Sequence, residues 1–297
     1  MDERGLPGVR VAVAGALSVV GRSARRALGR AGHEVVEVDS ADAALVSSDA
    51  LASSLDGYDA LVNLAAQLPV GFGVTHRRAW RAFDMLRSEG TRALVAAADA
   101  AGIRRVVHLS SSFVYADQGS HWVSERSPVC VTEATEPTSV GEIAVQDYGS
   151  ACRVGVVLRM GTVIGDSGRT RWSLRSAAVG RPVCSGSPEG YAHVIHSDDV
   201  GDAVLAALDA PSGVYNVGAT PVLRAALATG FAHAVGRDRA VFVGPLLARL
   251  GGPRLEPLAR SVRATSRHFG DTTGWEPHRD VFDTSWFEAA RLEVVGQ

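Results

Sequence analysis

Two glycines near the N-terminus have the spacing of a phosphate-binding turn. In VAVAGALSVVGRSARRAL, Gly15 closes an apolar run and Gly21 follows inside a helical pattern. Glycines in such a turn let backbone N–H groups and the positive end of a helix dipole approach a pyrophosphate. Ser18 stands where G-x-x-G-x-x-G has its middle glycine; it is small, and its hydroxyl can donate to a phosphate. The pattern indicates dinucleotide binding, with a purely structural turn as the alternative.

An acidic residue follows the second apolar run. EVVEVDS brings Asp39 some twenty residues after the glycine turn, where a carboxylate binds the hydroxyls of the adenosine ribose. A carboxylate here repels the 2′-phosphate of NADP and favours NAD, whereas Arg22 can attract that phosphate. The choice between the two cofactors stays open, and so does a turn-forming role for Asp39.

The elements that must position these residues follow from hydrophobic periodicity. Continuous Val, Ile and Leu runs are typical of strands buried on both faces, and their alternation with helical patterns predicts a parallel sheet with right-handed crossovers. We expect a Rossmann-type, doubly wound α/β fold over residues 1–170. Residues 171–297 are expected to form mainly a smaller substrate-binding lobe that interleaves with the sheet end. The strand-like runs are VRVAVAG, HEVVEVDS, ALVNLAA, RVVHLSS and RVGVVLRM.

Further segments complete a recognisable order. DGYDALVNLAAQ, EGTRALVAAADAAGIRRVVHLSSSFVY, VVLRMGTVIGDSG, YAHVIHSDDVGDAV and VYNVGAT follow one another. Together they resemble the extended short-chain dehydrogenase/reductases, the NAD-dependent epimerase/dehydratase family, from Val9 to about Pro277. The resemblance implies a bound NAD or NADP. The implied cofactor contacts are Gly15, Leu17, Ser18, Val19, Val20 and Gly21 at the pyrophosphate, Asp39 and Ser40 at the adenosine ribose, Leu64, Ala65 and Ala66 in the middle, and Met160, Gly161 and Thr162 near the nicotinamide.

The resemblance also implies an active-site hydroxyl. In LSSSFVY, the family's serine lies four residues before the closing tyrosine, which selects Ser111, with Ser112 as its neighbour. A serine here can polarise a substrate carbonyl. A serine cluster that satisfies backbone groups at a strand end is the alternative. The predicted substrate contacts are Gln67, Ser112, Phe113, Trp122, Trp172 and His193.

The family's acid pair is missing. A Tyr normally exchanges the proton, and a Lys four residues later lowers the pKa of that Tyr. This chain contains no lysine; its 30 basic residues are all arginine. Tyr148 lies too near the strand that ends at Arg159 to replace the Tyr, and we expect it to pack. Counting from Ser111 and back from Arg159 puts the Tyr position on Val140 or Thr138 and the Lys position on Ala144 or Glu142.

The remaining polar residues have simpler interpretations. In HSDDVGDAV, Asp198 and Asp199 are expected to cap a helix and to face its dipole. His193 or His196 can face the cleft, although a lone histidine is more often structural. His76 reads as part of a solvated basic turn.

Composition favours a small-molecule partner. A net charge of −2 with interspersed signs offers no field for nucleic acid or an anionic membrane,. No leader or spanning pattern is visible, so a cytoplasmic location is expected. Cys130, Cys152 and Cys184 are far apart, which predicts no metal site and no disulfide framework.

These observations predict an atypical ketoreductase. A missing general acid is tolerable when the substrate stabilises its own developing oxyanion, as an aromatic ketone beside a phenol does. We therefore expect an NAD(P)H-dependent ketoreductase acting on an aromatic polyketide ketone of angucyclinone type, with a homodimer among the expectations. The alternatives are a non-catalytic NAD(P)-binding sensor and a nucleotide-sugar epimerase or dehydratase with a rebuilt site.

Overall fold

The structure is a computed structural model that describes residues 8–38, 48–66, 69, 77–150, 152–242 and 253–295. Asp39, Ser40, Gln67 and His76, which carry predictions, lie outside these residues. None of the helices in the described part of the chain combines the length and hydropathy needed to span a membrane.

A six-stranded, fully parallel sheet forms the centre of the molecule. Its first five strands in the chain coincide with the five predicted apolar runs, and the sixth comes from VYNVGAT. This confirms the predicted doubly wound α/β fold. Across the sheet the strands are β10 (Gly213–Val217), β6 (Val154–Met160), β4 (Arg105–Ser111), β3 (Ala60–Asn63), β1 (Arg10–Ala14) and β2 (Glu34–Val38).

The strand order reverses between β1 and β3. From β1 the chain passes through α1 (Val19–Arg30) to β2 on one side, and β3 pairs with the other side of β1. A crevice opens beyond the carboxyl ends of parallel strands at such a reversal, and this is where open α/β sheets bind ligands. Gly15 follows β1 and Leu64 follows β3, so both predicted cofactor segments border this crevice.

Helices cover both faces of the sheet, and short strand pairs extend the carboxyl end. A five-residue π-helical segment, Leu86–Gly90, joins two of the helices. The remaining helices are α2 (Ser48–Ser54), α3 (Arg77–Met85), α4 (Thr91–Ala100), α5 (Glu136–Tyr148), α6 (Gly168–Ala178), α7 (Asp199–Ala207), α8 (Arg224–Ala234), α9 (Arg267–Thr273) and α10 (Glu288–Val295). The short strands are β5 (Trp122–Val123), β7 (Thr162–Ile164), β8 (Tyr191–Ala192), β9 (Val194–His196), β11 (Val222–Leu223) and β12 (Arg263–Ala264).

One apolar core joins the two predicted regions. Val11 and Val13 of β1 pack in the same buried cluster as Val200 and Val204 of α7 and Val217 of β10. Residues beyond position 170 therefore complete the sheet and cover one of its faces, as the predicted interleaving requires. The boundary at residue 170 itself stays a prediction.

Candidate active site

The turn after β1 requires both of its glycines. Gly15 has a φ of 78°, in the left-handed region, and a Cβ there would come within 2.9 Å of the Ala65 backbone nitrogen. A Cβ on Gly21 would overlap the Gly15 carbonyl oxygen and the Ala16 backbone. The turn, the start of α1 and the end of β3 thus approach one another as closely as a pyrophosphate cradle requires.

Ser18 closes this turn from within. Its Oγ accepts a hydrogen bond from the Gly21 N–H at 3.0 Å and donates one to the Gly15 carbonyl oxygen at 2.8 Å. Ser18 is the N-cap of α1 with an extended backbone, φ −66° and ψ 167°, which needs no glycine,. The hydroxyl therefore stabilises the turn, where the sequence had suggested donation to a phosphate. Leu17 is exposed, and its carbonyl oxygen accepts from Arg22; Val19 and Val20 begin α1.

The other cofactor segments lie at the same sheet edge. Ala65 is fixed by its N–H, which donates to the Asn63 Oδ1 at 3.1 Å. Ser111, the last residue of β4, pairs in register with Met160 at the end of β6. Gly161 packs so closely on β9 that a Cβ would lie 2.8 Å from the Val194 nitrogen. The structure thus brings the predicted catalytic hydroxyl beside the predicted nicotinamide contacts Met160, Gly161 and Thr162.

Ser111 borders a mostly apolar pocket. The Ser111 Oγ accepts a hydrogen bond from the Phe113 N–H at 3.3 Å, and among the described residues it has no acceptor for its own proton. That proton can therefore be donated to a bound oxygen atom. The pocket is lined by Ala66, Trp80, Phe83, Arg87, Ser111, Phe113, Val114, Ala134, Thr135, Thr138, Arg254, Pro257 and Leu258.

The described lining of the Ser111 pocket contains no acidic side chain. Thr138, one of the two predicted Tyr positions, lines the pocket and carries a hydroxyl group in place of a phenol. Val140 is not among the lining residues, which favours the second of the two predicted registers for the Tyr position. None of the described lining residues carries a phenol, an imidazole, an amine or a carboxyl group. Tyr148 is buried elsewhere and donates to the Ile103 carbonyl oxygen, so it packs as expected.

A buried ion pair lies beneath the pocket. Glu142 accepts from the Arg159 Nε at 3.0 Å and Nη2 at 2.7 Å, and also from the Ser110 hydroxyl. Burial alone would lower the pKa of Arg159, but the hydrogen bonds and charge of Glu142 raise it above the ordinary value. The guanidinium also stacks over the Tyr115 ring, whose hydroxyl donates to the Asn216 Oδ1. Glu142 therefore fixes the helix α5 to the sheet and takes no part in the pocket.

The sequence analysis missed Arg87. It lies in the π-helical segment, where one extra residue per turn directs it into the Ser111 pocket,. Arg87 is 4% exposed; one nitrogen donates to the Leu109 carbonyl oxygen, while its Nε has no partner. Burial lowers the pKa of Arg87 to about 10, against the raising effect of Glu142. The sequence signal was an arginine inside the amphipathic stretch RAFDMLRSEGT, which also fits a solvated helix face.

The remaining predicted substrate contacts separate into two groups. A second cavity is lined by Ser112, Phe113, Thr162 and His193, and it shares Phe113 with the Ser111 pocket. Trp122 is 55% exposed in a different groove, and Trp172 is 39% exposed on α6. The structure therefore brings Ser112, Phe113 and His193 to the site, but neither tryptophan.

His193, Asp198 and Asp199 precede or begin α7 and differ in their contacts. Burial lowers the pKa of His193 to about 4, so its ring is neutral near pH 7. The carboxylate of Asp199 accepts from the backbone N–H groups of His278 and Arg279, and Asp198, at the N-cap position, makes no side-chain cap bond. Asp199 thus fixes the C-terminal segment rather than capping the helix. Within the described ranges, no cluster of His, Cys, Asp and Glu could hold a metal ion, and the three cysteines are free.

Known proteins share the sequence pattern and the fold of this chain. The model of the NAD dependent epimerase/dehydratase family matches residues 11–218. A 3-diazoavenalumate denitrifying reductase from a Streptomyces species is 35% identical over 225 residues, which are 68% of this chain and 72% of the relative. The human epimerase family protein SDR39U1 (isoform 2), solved with NADPH, has a TM-score of 0.79 at 23% identity, covering 95% of this chain and 99% of that one. UDP-glucose-4-epimerase from Stenotrophomonas maltophila, solved with NAD, has a TM-score of 0.77 at 20% identity, covering 97% of this chain and 100% of that one.

Proposed function

Since the chain belongs to the NAD-dependent epimerase/dehydratase family, we propose that it is an NAD(P)H-dependent reductase without a protein acid. Its substrate is a carbonyl of an aromatic polyketide of angucyclinone type, as in the ketoreductase of simocyclinone biosynthesis. The observation that carries the proposal is the pocket beside Ser111, in which Thr138 lies at a predicted Tyr position and none of the described lining residues is an acid. Glu142, at the corresponding Lys position, is paired with Arg159. The reductase among the relatives favours net reduction over epimerisation.

The glycine turn and the two neighbouring strand ends would hold the cofactor. Gly15, Gly21 and the first turn of α1 fit a pyrophosphate, because a Cβ at either glycine would clash with the backbone that forms the turn and the end of β3. Ala65 and Ala66 would line its middle, and Met160, Gly161 and Thr162 would lie at the nicotinamide end. When bound, the cofactor supplies a hydride.

Ser111 and Arg87 would handle the negative charge that develops on the substrate oxygen. The Ser111 proton has no acceptor among the described residues, so it can be donated to that oxygen. The buried Arg87 guanidinium lines the same pocket and adds positive potential in a region of low dielectric constant,. Neither group needs to give up a proton for this role.

The proton that completes the alcohol would then come from a substrate hydroxyl or from water. A positioned general acid contributes about 10²–10⁴ in rate. Holding the reactants together can contribute as much or more, and this term survives the loss of the acid. An aromatic ketone beside a phenol also stabilises its own oxyanion by an internal hydrogen bond, so it tolerates the loss better than a sugar does.

A second candidate function is reductive removal of a diazo group. One relative is named as a denitrifying reductase of a diazo compound. In such a reaction an arenediazonium carbon gains one hydride while the C–N bonding electrons leave with N₂, so no proton is required. A pocket without an acid suits this chemistry as well as it suits an activated ketone.

Turnover against two panels of compounds tests these functions. The protein and NADPH or NADH are mixed with quinonoid ketones and, separately, with arenediazonium salts, and loss of cofactor absorbance is followed while products are identified. Alcohol formation supports the ketoreductase, and N₂ release supports the second candidate. A shift of cofactor fluorescence without consumption in either panel would identify a sensor. Substrate conversion without net cofactor consumption would identify an epimerase or dehydratase.

A further inference from the structure

The second cavity carries positive charge that no described carboxylate on its wall neutralises. Arg169, in the first turn of α6, and Arg224, the first residue of α8, both line it. A third arginine, Arg260, also lines the cavity, but its guanidinium is paired with Glu256 at 2.6 Å. None of the described lining residues is an aspartate or a glutamate. Two guanidinium groups therefore face this space without a counter-ion.

Arg224 is the more deeply buried of the two. It is 5% exposed, and its Nη2 donates to the Arg260 carbonyl oxygen. Its Nη1 is buried without a hydrogen-bond partner. An unpaired buried guanidinium is costly, and the positive end of a helix dipole adds to that cost. The Arg224 side chain therefore destabilises the folded protein unless an anion binds beside it.

Arg169 lines the same cavity from α6. It makes no hydrogen bond or ion pair with any residue in the described ranges, although the neighbouring Arg171 pairs with Asp166. Burial lowers the pKa of both Arg169 and Arg224 below the ordinary value, as expected for cations that lack a carboxylate partner.

Two resident groups are near enough to act on these arginines, and neither makes an ion pair with them. Cys184 lies in the cavity wall, but burial raises the pKa of its thiol to about 11, so the thiol is neutral near pH 7. Asp117 acts on Arg224 from outside the cavity wall, and its two oxygens accept from the Gly119 and Ser261 N–H groups. The cavity therefore offers an anionic ligand two guanidinium groups that no described carboxylate pairs with.

From these contacts we infer that Arg169 and Arg224 form a carboxylate-binding subsite for the far end of the substrate. Guanidinium groups bind carboxylates by paired, charge-assisted hydrogen bonds. The cavity runs from this pair to Ser112, Phe113 and Thr162, beside the predicted nicotinamide position. The assignment to substrate rests on the proposed function and narrows it to ketones or diazo compounds that carry an acid group; the anion site itself does not depend on turnover.

Binding to the free protein tests the site directly. Cinnamate is titrated calorimetrically against its neutral analogue cinnamamide, with wild type, Arg169→Gln and Arg224→Gln, and with the exposed Arg181→Gln as the matched control. We expect cinnamate to bind about tenfold or more tightly than cinnamamide, and each cavity variant to remove that preference. Arg181→Gln should bind like wild type. Because Arg224 also holds the Arg260 carbonyl, Arg169→Gln decides the result if Arg224→Gln fails to fold.

Three outcomes would overturn the subsite. These are equal binding of cinnamate and cinnamamide, no saturable binding of cinnamate at millimolar concentration, or unchanged binding by Arg169→Gln. Binding of UDP through the two arginines in place of cinnamate would assign them to a nucleotide diphosphate, and the carboxylate would be wrong. If cinnamate binding depends on the arginines while no compound consumes NADPH, the proposed function fails and the subsite stands. If neutral ketones turn over and Arg169→Gln leaves KM for acidic ketones unchanged, the proposed function stands and the subsite fails.

Discussion

Ser18 and Ser111 both carry a hydroxyl group, but only the Ser111 hydroxyl has a proton free to donate to a ligand among the described residues. The Ser18 hydroxyl donates to the Gly15 carbonyl oxygen, so its proton is used within the turn. The Ser111 oxygen accepts from the Phe113 N–H and leaves its proton unused among the described residues. Spacing alone places both serines at functional turns. Which of them can contact a ligand depends on hydrogen bonds that only the folded backbone determines.

Removing the Ser111 hydroxyl should slow the reaction without weakening cofactor binding. With a ketone that wild type reduces, we expect Ser111→Ala to lower kcat by about tenfold to a hundredfold, since one charge-stabilising hydrogen bond is lost. Ser111→Thr should restore most of the rate because it keeps the hydroxyl. The exposed Ser120→Ala is the control. Steady-state kinetics and NADPH titration check this, and an unchanged kcat in Ser111→Ala would remove the serine from the mechanism.

Two buried histidines should make the fold sensitive to mild acid. Burial lowers the pKa of His108 to about 3 and that of His193 to about 4, whereas both rise to ordinary values when the chain unfolds. Below about pH 6.5 the unfolded chain therefore binds protons that the folded chain does not. The free energy of unfolding consequently decreases as the pH is lowered. The slope should be about 1.4 kcal/mol per pH unit for each histidine, between about pH 6 and pH 4.

Urea unfolding at several pH values measures this dependence. His193→Gln should reduce the slope by the share of one histidine, while the exposed His121→Gln should leave it unchanged. A wild-type stability that stays flat from pH 6.5 to pH 4.5 would show that these rings are protonated in the folded protein.

At the scale of elements, the five strands could be predicted from their apolar runs. The expectation of burial on both faces is wrong for β2, which lies at the sheet edge with Glu34 and Glu37 exposed. The crevice could be predicted as well, since Gly15 and Gly21 have the spacing that a tight strand–turn–helix connection needs. The position of Arg87 could not, because the π-helical segment at Leu86–Gly90 changes which face of the helix the arginine lies on. The partner of Glu142 could not either, since Arg159 lies on a strand that only the sheet brings beside α5.

That ion pair gives the helix α5 its position on the sheet. Glu142→Gln removes the negative charge but keeps the side-chain shape, so the buried Arg159 loses its compensating charge. We expect the free energy of unfolding to fall by about 3 kcal/mol or more. Urea titration followed by tryptophan fluorescence measures the loss. Glu136→Gln, exposed in the first turn of the same helix, should change it by less than about 0.5 kcal/mol.

The double variant Glu142→Gln/Arg159→Met provides a second check. It removes both charges, so it should be more stable than Glu142→Gln alone if an uncompensated guanidinium causes the loss. A double variant that loses the sum of the two single effects would instead show that the two residues act independently.

At the scale of the whole molecule, the cavity charges explain why function was harder to predict than fold. The sequence does not show which arginines lack an ion-pair partner. Any of the chain's 32 acidic residues can be the counter-ion until the fold is known. Arg169 and Arg224 come from different helices and meet at one cavity through the packing of α6 on α8. The same packing leaves Trp122 and Trp172 outside the site, although aromatic residues at loop ends fit a substrate pocket equally well in the sequence.

Residues 1–170 should not fold alone, because the core is shared. This fragment lacks α7 and β10, which contribute Val200, Val204 and Val217 to the cluster that contains Val11 and Val13. Without them, the edge of β6 and the apolar face of α1 are exposed to water. We expect the fragment to bind a hydrophobic dye and to show no cooperative thermal transition. Adding residues 171–297 should restore near-ultraviolet circular dichroism and a single transition, because the complementary strand and helix are then supplied. A cooperative transition in the fragment by itself would mean that residues 1–170 form an autonomous domain and that the sheet's sixth strand is dispensable.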